Sequence, residues 1–236
     1  MAENMSENKT ENKAAQPAPA KRQRRRMAPR AVVLLAVIAF LLLMLVVSIL
    51  RSNLRNNGRR YATKLGEQVG MSVGAAQDAA KIELLTASES AVVSQVGAGY
   101  PYVYESPKTT TVAGVEVPQW VIFCAASNDT ITQVVYYDYR QLGRNGHGTR
   151  SRSHIELSGI TTGMTPATVQ GFVGSLPLRR LYAAGQGLQE TYKYNYPAED
   201  GSTVECLLYV TYDTEGHASA AAETTRTAGS ELLTVP

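Results

Sequence analysis

Residues able to do chemistry are few in this 236-residue chain: three His and two Cys, set against 13 Tyr and one Trp. A zinc site draws on closely paired ligands, and His147, His154 and His217 stand at no such spacing to one another or to a Cys. They read as surface side chains, and no metal is expected. The chain has no phosphate-cradling Gly loop and no His-Glu-x-x-His pair, and Gly185-Gln186-Gly187 reads as a plain loop. Asp129, Asp138, Asp200 and Asp213 fall in expected turns or at strand ends, where Asp serves backbone N–H groups. No pair of carboxylates is singled out, so no catalytic residue and no cofactor is assigned. Cys124 and Cys206 lie on central expected strands among apolar neighbours, consistent with either buried thiols or a disulfide.

Tyrosine placement is the unusual feature. Tyr100, Tyr102 and Tyr104 alternate at period two, as do Tyr192, Tyr194 and Tyr196, and Tyr137 and Tyr139 form a further pair. Period two places each trio on one face of a strand. A half-exposed sheet lined with Tyr offers rigid contact area with a hydrogen-bonding tip, which suits protein binding. Trp120, between Gln119 and Val121, is either a binding anchor or a core residue.

The elements that must hold these residues begin with an apolar run. Residues 31–50, AVVLLAVIAFLLLMLVVSIL, contain no charge. As a helix they would cross about 30 Å, the hydrocarbon thickness of a bilayer. The run is long, starts late and ends in Ser48-Ile49-Leu50-Arg51, unlike a cleaved signal peptide, so a retained signal-anchor is expected. Lys21, Arg22, Arg24, Arg25, Arg26 and Arg30 precede it, against Arg51, Arg55, Arg59, Arg60 and Lys64 spread more widely after it. That bias predicts a plasma-membrane protein with a cytoplasmic N-terminus and an extracytoplasmic C-terminal domain. Residues 1–64 hold 13 basic and 3 acidic side chains, and residues 65–236 hold 10 and 17, which argues against a nucleic-acid binder. The polar, Ala/Pro-rich and then basic tail 1–30 lacks the apolar surface to offset ordering entropy and is expected to be disordered.

Beyond the run, Tyr61, Leu65, Val69 and Val73 recur every four residues and predict a helical stalk or first helix within 51–80. Two similar units are then expected, at 81–142 and 155–225, joined by a Gly/Ser/Arg-rich linker at 143–154 and followed by a tail at 226–236. Segments 88–97 and 165–174 match at an offset of 77 residues, each a short helix with a Ser or Thr cap and a terminal Gly. Strands follow at 100–105, 115–126 and 131–139 in the first unit, and at 189–196, 204–213 and 217–224 in the second. The predicted fold is α+β: one N-terminal transmembrane helix, then one or two helix-plus-antiparallel-meander units.

The second unit, over about 155–225, resembles the SmpA/OmlA small-lipoprotein fold and the related β-lactamase-inhibitor-protein fold. The residues that carry this are Thr162-Gly163-Met164-Thr165-Pro166, Val169 and Val173-Gly174, the Tyr192–Tyr196 strand, and the strand Leu207-Leu208-Tyr209-Val210-Thr211-Tyr212-Asp213 with its Glu215-Gly216 turn. The inhibitor relatives are tandem repeats, as the duplication above would be. The lipoprotein family's lipobox Cys is absent, and Thr86-Ala87-Ser88 stands where the first unit would need Gly-Met-Thr. The resemblance implies a small protein-binding module.

The first expectation is therefore a membrane-anchored, non-enzymatic protein-binding or scaffold domain. Its partner would be an unidentified envelope protein, with the bilayer contacted through 31–50. Binding residues would be Tyr192, Tyr194, Tyr196, Tyr100, Tyr102, Tyr104 and Trp120. The alternative is a cell-wall or small-ligand sensor domain, and an envelope hydrolase ranks third.

Overall fold

The computed structural model describes residues 29–55, 57–86 and 99–227. The expected helix at 88–97, residues 1–28 of the tail and residues 228–236 lie outside these. The chain divides into two compact units, Met1–Ile49 and Leu50–Pro236.

Helix α1, Pro29–Arg55, is 27 residues long and carries the apolar run. Side chains in its apolar part are described at 33–34 and 37–48, and the large apolar ones, Phe40, Leu41 and Met44 among them, are exposed. Over the described residues, no helix is long and apolar enough to cross a membrane.

The four-residue periodicity of 61–73 resolves into two helices rather than one. Helix α2, Gly58–Gly66, is capped by Asn57, whose side chain accepts from the Arg60 N–H at 3.2 Å. Helix α3, Val73–Ala80, is capped by Ser72, which accepts from Ala75 N–H at 3.3 Å. Between them the chain turns through Gly70 at φ +94°, a left-handed conformation that interrupts the helix but still lets Leu65 and Val73 reach one core.

The strands are β1 Leu85–Thr86, β2 Tyr102–Glu105, β3 Thr109–Val112, β4 Val115–Pro118, β5 Trp120–Ser127, β6 Thr130–Asp138, β7 Thr149–Arg150, β8 Arg179–Ala183, β9 Gln189–Pro197, β10 Thr203–Tyr212 and β11 Ala218–Thr227. The expected strand 115–126 breaks at Gln119, and its first part pairs with β3 as a separate hairpin. The β5–β6 hairpin turns on Asn128-Asp129, both at positive φ, as a two-residue turn of matching twist requires. Helix α4, Pro166–Val173, starts on the Thr165 cap with Pro166 in the first turn and ends at Gly174, φ +73°.

Nine strands form one sheet, in the order β1-β2-β5-β6-β8-β9-β10-β11, with β7 parallel to β9 beyond the end of β8. The strands expected for both units therefore share one sheet, joined where β6 pairs β8 from Gln133↔Ala183 to Tyr137↔Arg179. Register fixes the faces. Val134 opposes Tyr182, Tyr136 opposes Arg180, and Arg180 opposes Glu190. One face thus runs unbroken through both halves, and α2, α3 and α4 lie on it. In the first half it packs Trp120, Ile122, Cys124, Val134 and Tyr136 against Ala62, Leu65 and Ala76. In the second it packs Tyr192, Tyr194, Cys206, Leu208 and Tyr212 with Val169.

Candidate functional site

The helix-side face of each half holds a buried carboxylate answered by a Tyr two residues away and by an Arg. In the second half this is Glu190, on β9. Arg180 on β8 donates to Oε1, as does Gln170 on α4 at 3.1 Å, while the Tyr192 and Tyr212 hydroxyls donate to Oε2 at 2.5 and 2.8 Å. Arg59 on α2 donates to the Gln170 side-chain oxygen at 2.9 Å, so the network links the first helix of the domain to α4. Arg180 and Glu190 are buried side by side, and Arg180 Nε lacks a partner among the described residues. Burial alone would lower the Arg180 pKa, but Glu190 and Tyr182 outweigh it and the net shift is upward. Burial, then Glu190, pushes the hydroxyls of Tyr192 and Tyr212 well above the ordinary phenol range. Such hydroxyls are donors fixed in place, not nucleophiles.

In the first half the counterpart is Asp138 at the end of β6. Tyr136 donates to it at 3.0 Å, and Arg140 holds it bidentately at 2.7 Å through Nε and NH2. Here Arg140 comes from the short 3-10 turn Tyr139–Leu142 that follows, and its side chain is 39% exposed. Donating to the Asp138 carboxylate raises the Arg140 pKa.

These networks correct the expected surface. Tyr192 and Tyr194 are 0% and 1% exposed, with Tyr196 partly buried beside them. The trio does share one face, as period two requires, but that face is the one α4 and residues 155–164 cover. The other trio does not share a face. Tyr102 and Tyr104 pack against the helix-side core, whereas Tyr100 precedes β2 and packs on Phe123 of the opposite face, ring centroids 5.6 Å apart. Trp120 is wholly buried between Tyr61, Tyr104 and Tyr136, with Gly58 so close beneath its indole that a Cβ has no room. It is core. Cys124 and Cys206 are free and buried. They sit on β5 and β10, four strand spacings apart, about 19 Å at ~4.8 Å each, far beyond disulfide reach. Burial pushes both thiols up to about 12.

The opposite face carries Val103, Val121, Phe123 and Val135, with Tyr100, Tyr137, Tyr139 and Leu181 packed on them and still partly accessible. The Tyr137 and Tyr139 rings lie 4.8 Å apart. Leu181 follows on β8, and the register Tyr209↔Thr191 puts Tyr209 on this face in the second half. Among the described residues no helix covers it. The sequence marked Tyr137 and Tyr139 as a pair, but nothing in it showed which face the helices would leave open.

The expected linker is instead a fixed strap. Asn195 donates to the His147 and Gly148 carbonyls, each at 3.2 Å, and Ser151 N–H reaches the Asn195 carbonyl at 2.7 Å. Gly148, at φ +86°, lies so near the Lys193 backbone that a Cβ would stand 2.5 Å from its carbonyl oxygen. His147 Nδ1 meets the buried Glu205 carboxylate, beneath which Lys193 is also buried. His154 Nε2 meets Glu223 at 2.9 Å, with its ring 5.3 Å from Tyr196. The histidines expected as free surface groups thus include two that clasp this strap to β10 and β11, a role that needs tertiary contacts more than 50 residues apart. Among the described residues no group of three or more His, Cys, Asp or Glu is placed to hold a metal.

No protein-family model matches the chain, and neither any curated protein nor any solved structure does.

Proposed function

We propose that the chain is a single-pass membrane protein whose C-terminal domain binds another protein at the extracytoplasmic surface without catalysing a reaction. The observation that carries the binding part is the face of the nine-stranded sheet opposite α2, α3 and α4, with Tyr137 and Tyr139 in ring contact beside Leu181 and with Tyr209 further along it. Aromatic side chains on a rigid, continuous sheet give contact area at little conformational cost. The binding residues are therefore these, in place of the buried trio. The anchoring part is supported by α1, apolar over 31–50, and by the heavier Lys/Arg cluster before it. The second half is read as an SmpA/OmlA-like unit, supported by the Thr165-Pro166 start of α4 and the aromatic strand β9.

A photo-crosslinking residue placed at Tyr209 or at Leu181 should capture the same partner in intact cells, and one at Asp78, exposed on α3, should not. Capture from Asp78 alone, or equally from all three positions, would sink the assignment of the face. Protease added to intact spheroplasts should degrade the C-terminal domain; its survival would reverse the topology.

A further inference from the structure

We propose that the strap at residues 139–155 is a second binding surface, one that recognises phosphate groups on a polyanion. Between Asp138 and Glu156 the chain holds Arg140, Arg144, Arg150 and Arg152 and no acidic residue, although the part beyond residue 64 is acidic on balance. Arg140 is committed to Asp138, and both histidines are held by buried or partly buried Glu residues. Arg144, Arg150 and Arg152 are exposed and make no ion pair among the described residues.

The strap is also rigid where these guanidinium groups leave it. β7 pairs with β9, and Asn195 holds the backbone on both sides, so the ordering cost of this segment is met by the fold before any ligand arrives. Arg150 and Arg152 line one recess of about 400 Å³ with Ser151 and Pro197. Arg144 lines another of about 410 Å³ with Thr110 and Thr111, whose hydroxyls are hydrogen-bond donors. Phosphoryl oxygens accept bidentately from guanidinium forks, and the planar Arg fork matches their geometry. Two Arg lining one recess therefore fit a phosphate group, and a second recess on the same strap fits a chain of phosphates. The two recesses contain none of the aromatic-face residues Tyr137, Tyr139, Leu181 and Tyr209.

The test uses the full chain in zwitterionic nanodiscs, with Lys21, Arg22, Arg24, Arg25 and Arg26 changed to Gln to remove the other basic cluster. Probes are inorganic polyphosphate, poly-glutamate of matched charge, and phosphatidylglycerol or phosphatidylcholine vesicles. Polyphosphate should bind with a salt-dependent affinity. The double variant Arg150→Gln/Arg152→Gln should weaken it about tenfold and flatten the salt slope by roughly two contacts. The double variant Arg150→Lys/Arg152→Lys should keep the salt slope yet bind several-fold more weakly, because charge is retained and the planar fork is lost. Unchanged Trp120 fluorescence certifies the fold in each variant. Binding to phosphatidylglycerol vesicles that is lost in the Gln variant would identify lipid headgroups as a source of the phosphate; binding to polyphosphate alone would point to a soluble or polymeric source. Equal binding of poly-glutamate, full retention by the Gln variant, or no polyphosphate binding would each overturn the proposal.

Discussion

Each half of the domain sets a Tyr and an Arg on a buried carboxylate, yet the two sets are built differently. In the first half Tyr136, Asp138 and Arg140 are three alternate residues of one short stretch, and the Arg reaches solvent. In the second, Glu190 gathers donors from β8, β9, β10 and α4, and its Arg is buried. A local set can form from its own hairpin and is partly screened by water. A distributed set exists only when the whole half is assembled, and losing its acceptor strands a buried charge. The second network is thus the costlier of the two to break.

The largest expected effect tests that difference directly. Glu190→Ala should cost about 3–5 kcal/mol in denaturant unfolding, since it leaves Arg180, Tyr192 and Tyr212 without their acceptor. Adding Arg180→Met should recover only part of the loss, because the two hydroxyls stay unsatisfied. Asp138→Ala should cost less, about 1–3 kcal/mol, because Arg140 can turn to water. Equal losses would show that the two sets are energetically equivalent. Between these effects lies Gly58→Ala, where overpacking against Trp120 should cost about 1–3 kcal/mol and red-shift or broaden the Trp emission.

A smaller effect concerns the strap clasp in the second half. Burial alone would lower the His154 pKa, but hydrogen bonds with Glu223 and Glu156 outweigh it and the net shift is upward. A raised folded value means the contribution is complete below the unfolded pKa of about 6.5 and is lost as pH rises through the folded one. Denaturation midpoints of wild type should therefore fall across that window relative to His154→Gln, and parallel profiles would remove the clasp from the comparison. Smallest of all, Cys124 and Cys206 should resist alkylation in the native protein and react together on unfolding, with no mass change on reduction. Fast labelling of Cys206 alone would show that the second half opens by itself.

Much of the sheet was legible from local pattern. Strands expected at 131–139, 189–196 and 204–213 correspond to β6, β9 and β10, because alternation and Gly or Asn turns act over a few residues. β8 was not legible. Arg179-Arg180-Leu181-Tyr182-Ala183 has two adjacent charges, and it becomes a strand because Arg180 finds Glu190 across the ladder. The Tyr trios show the same limit: period two assigns residues to a face, whereas which face is covered depends on α2, α3 and α4. The Tyr192–Tyr196 trio accordingly lies on the covered face, and the accessible Tyr137 and Tyr209 stand on other strands.

The β6–β8 pairing also has a consequence for synthesis. β6 is complete at Asp138, but β8 begins only at Arg179, so some 40 residues must be made before the partner strand exists. Until then β6 offers open backbone donors and acceptors next to Val134, Val135 and Tyr136, the kind of edge that recruits other chains. A chain stopped between 140 and 178 would end as an adhesive half-sheet.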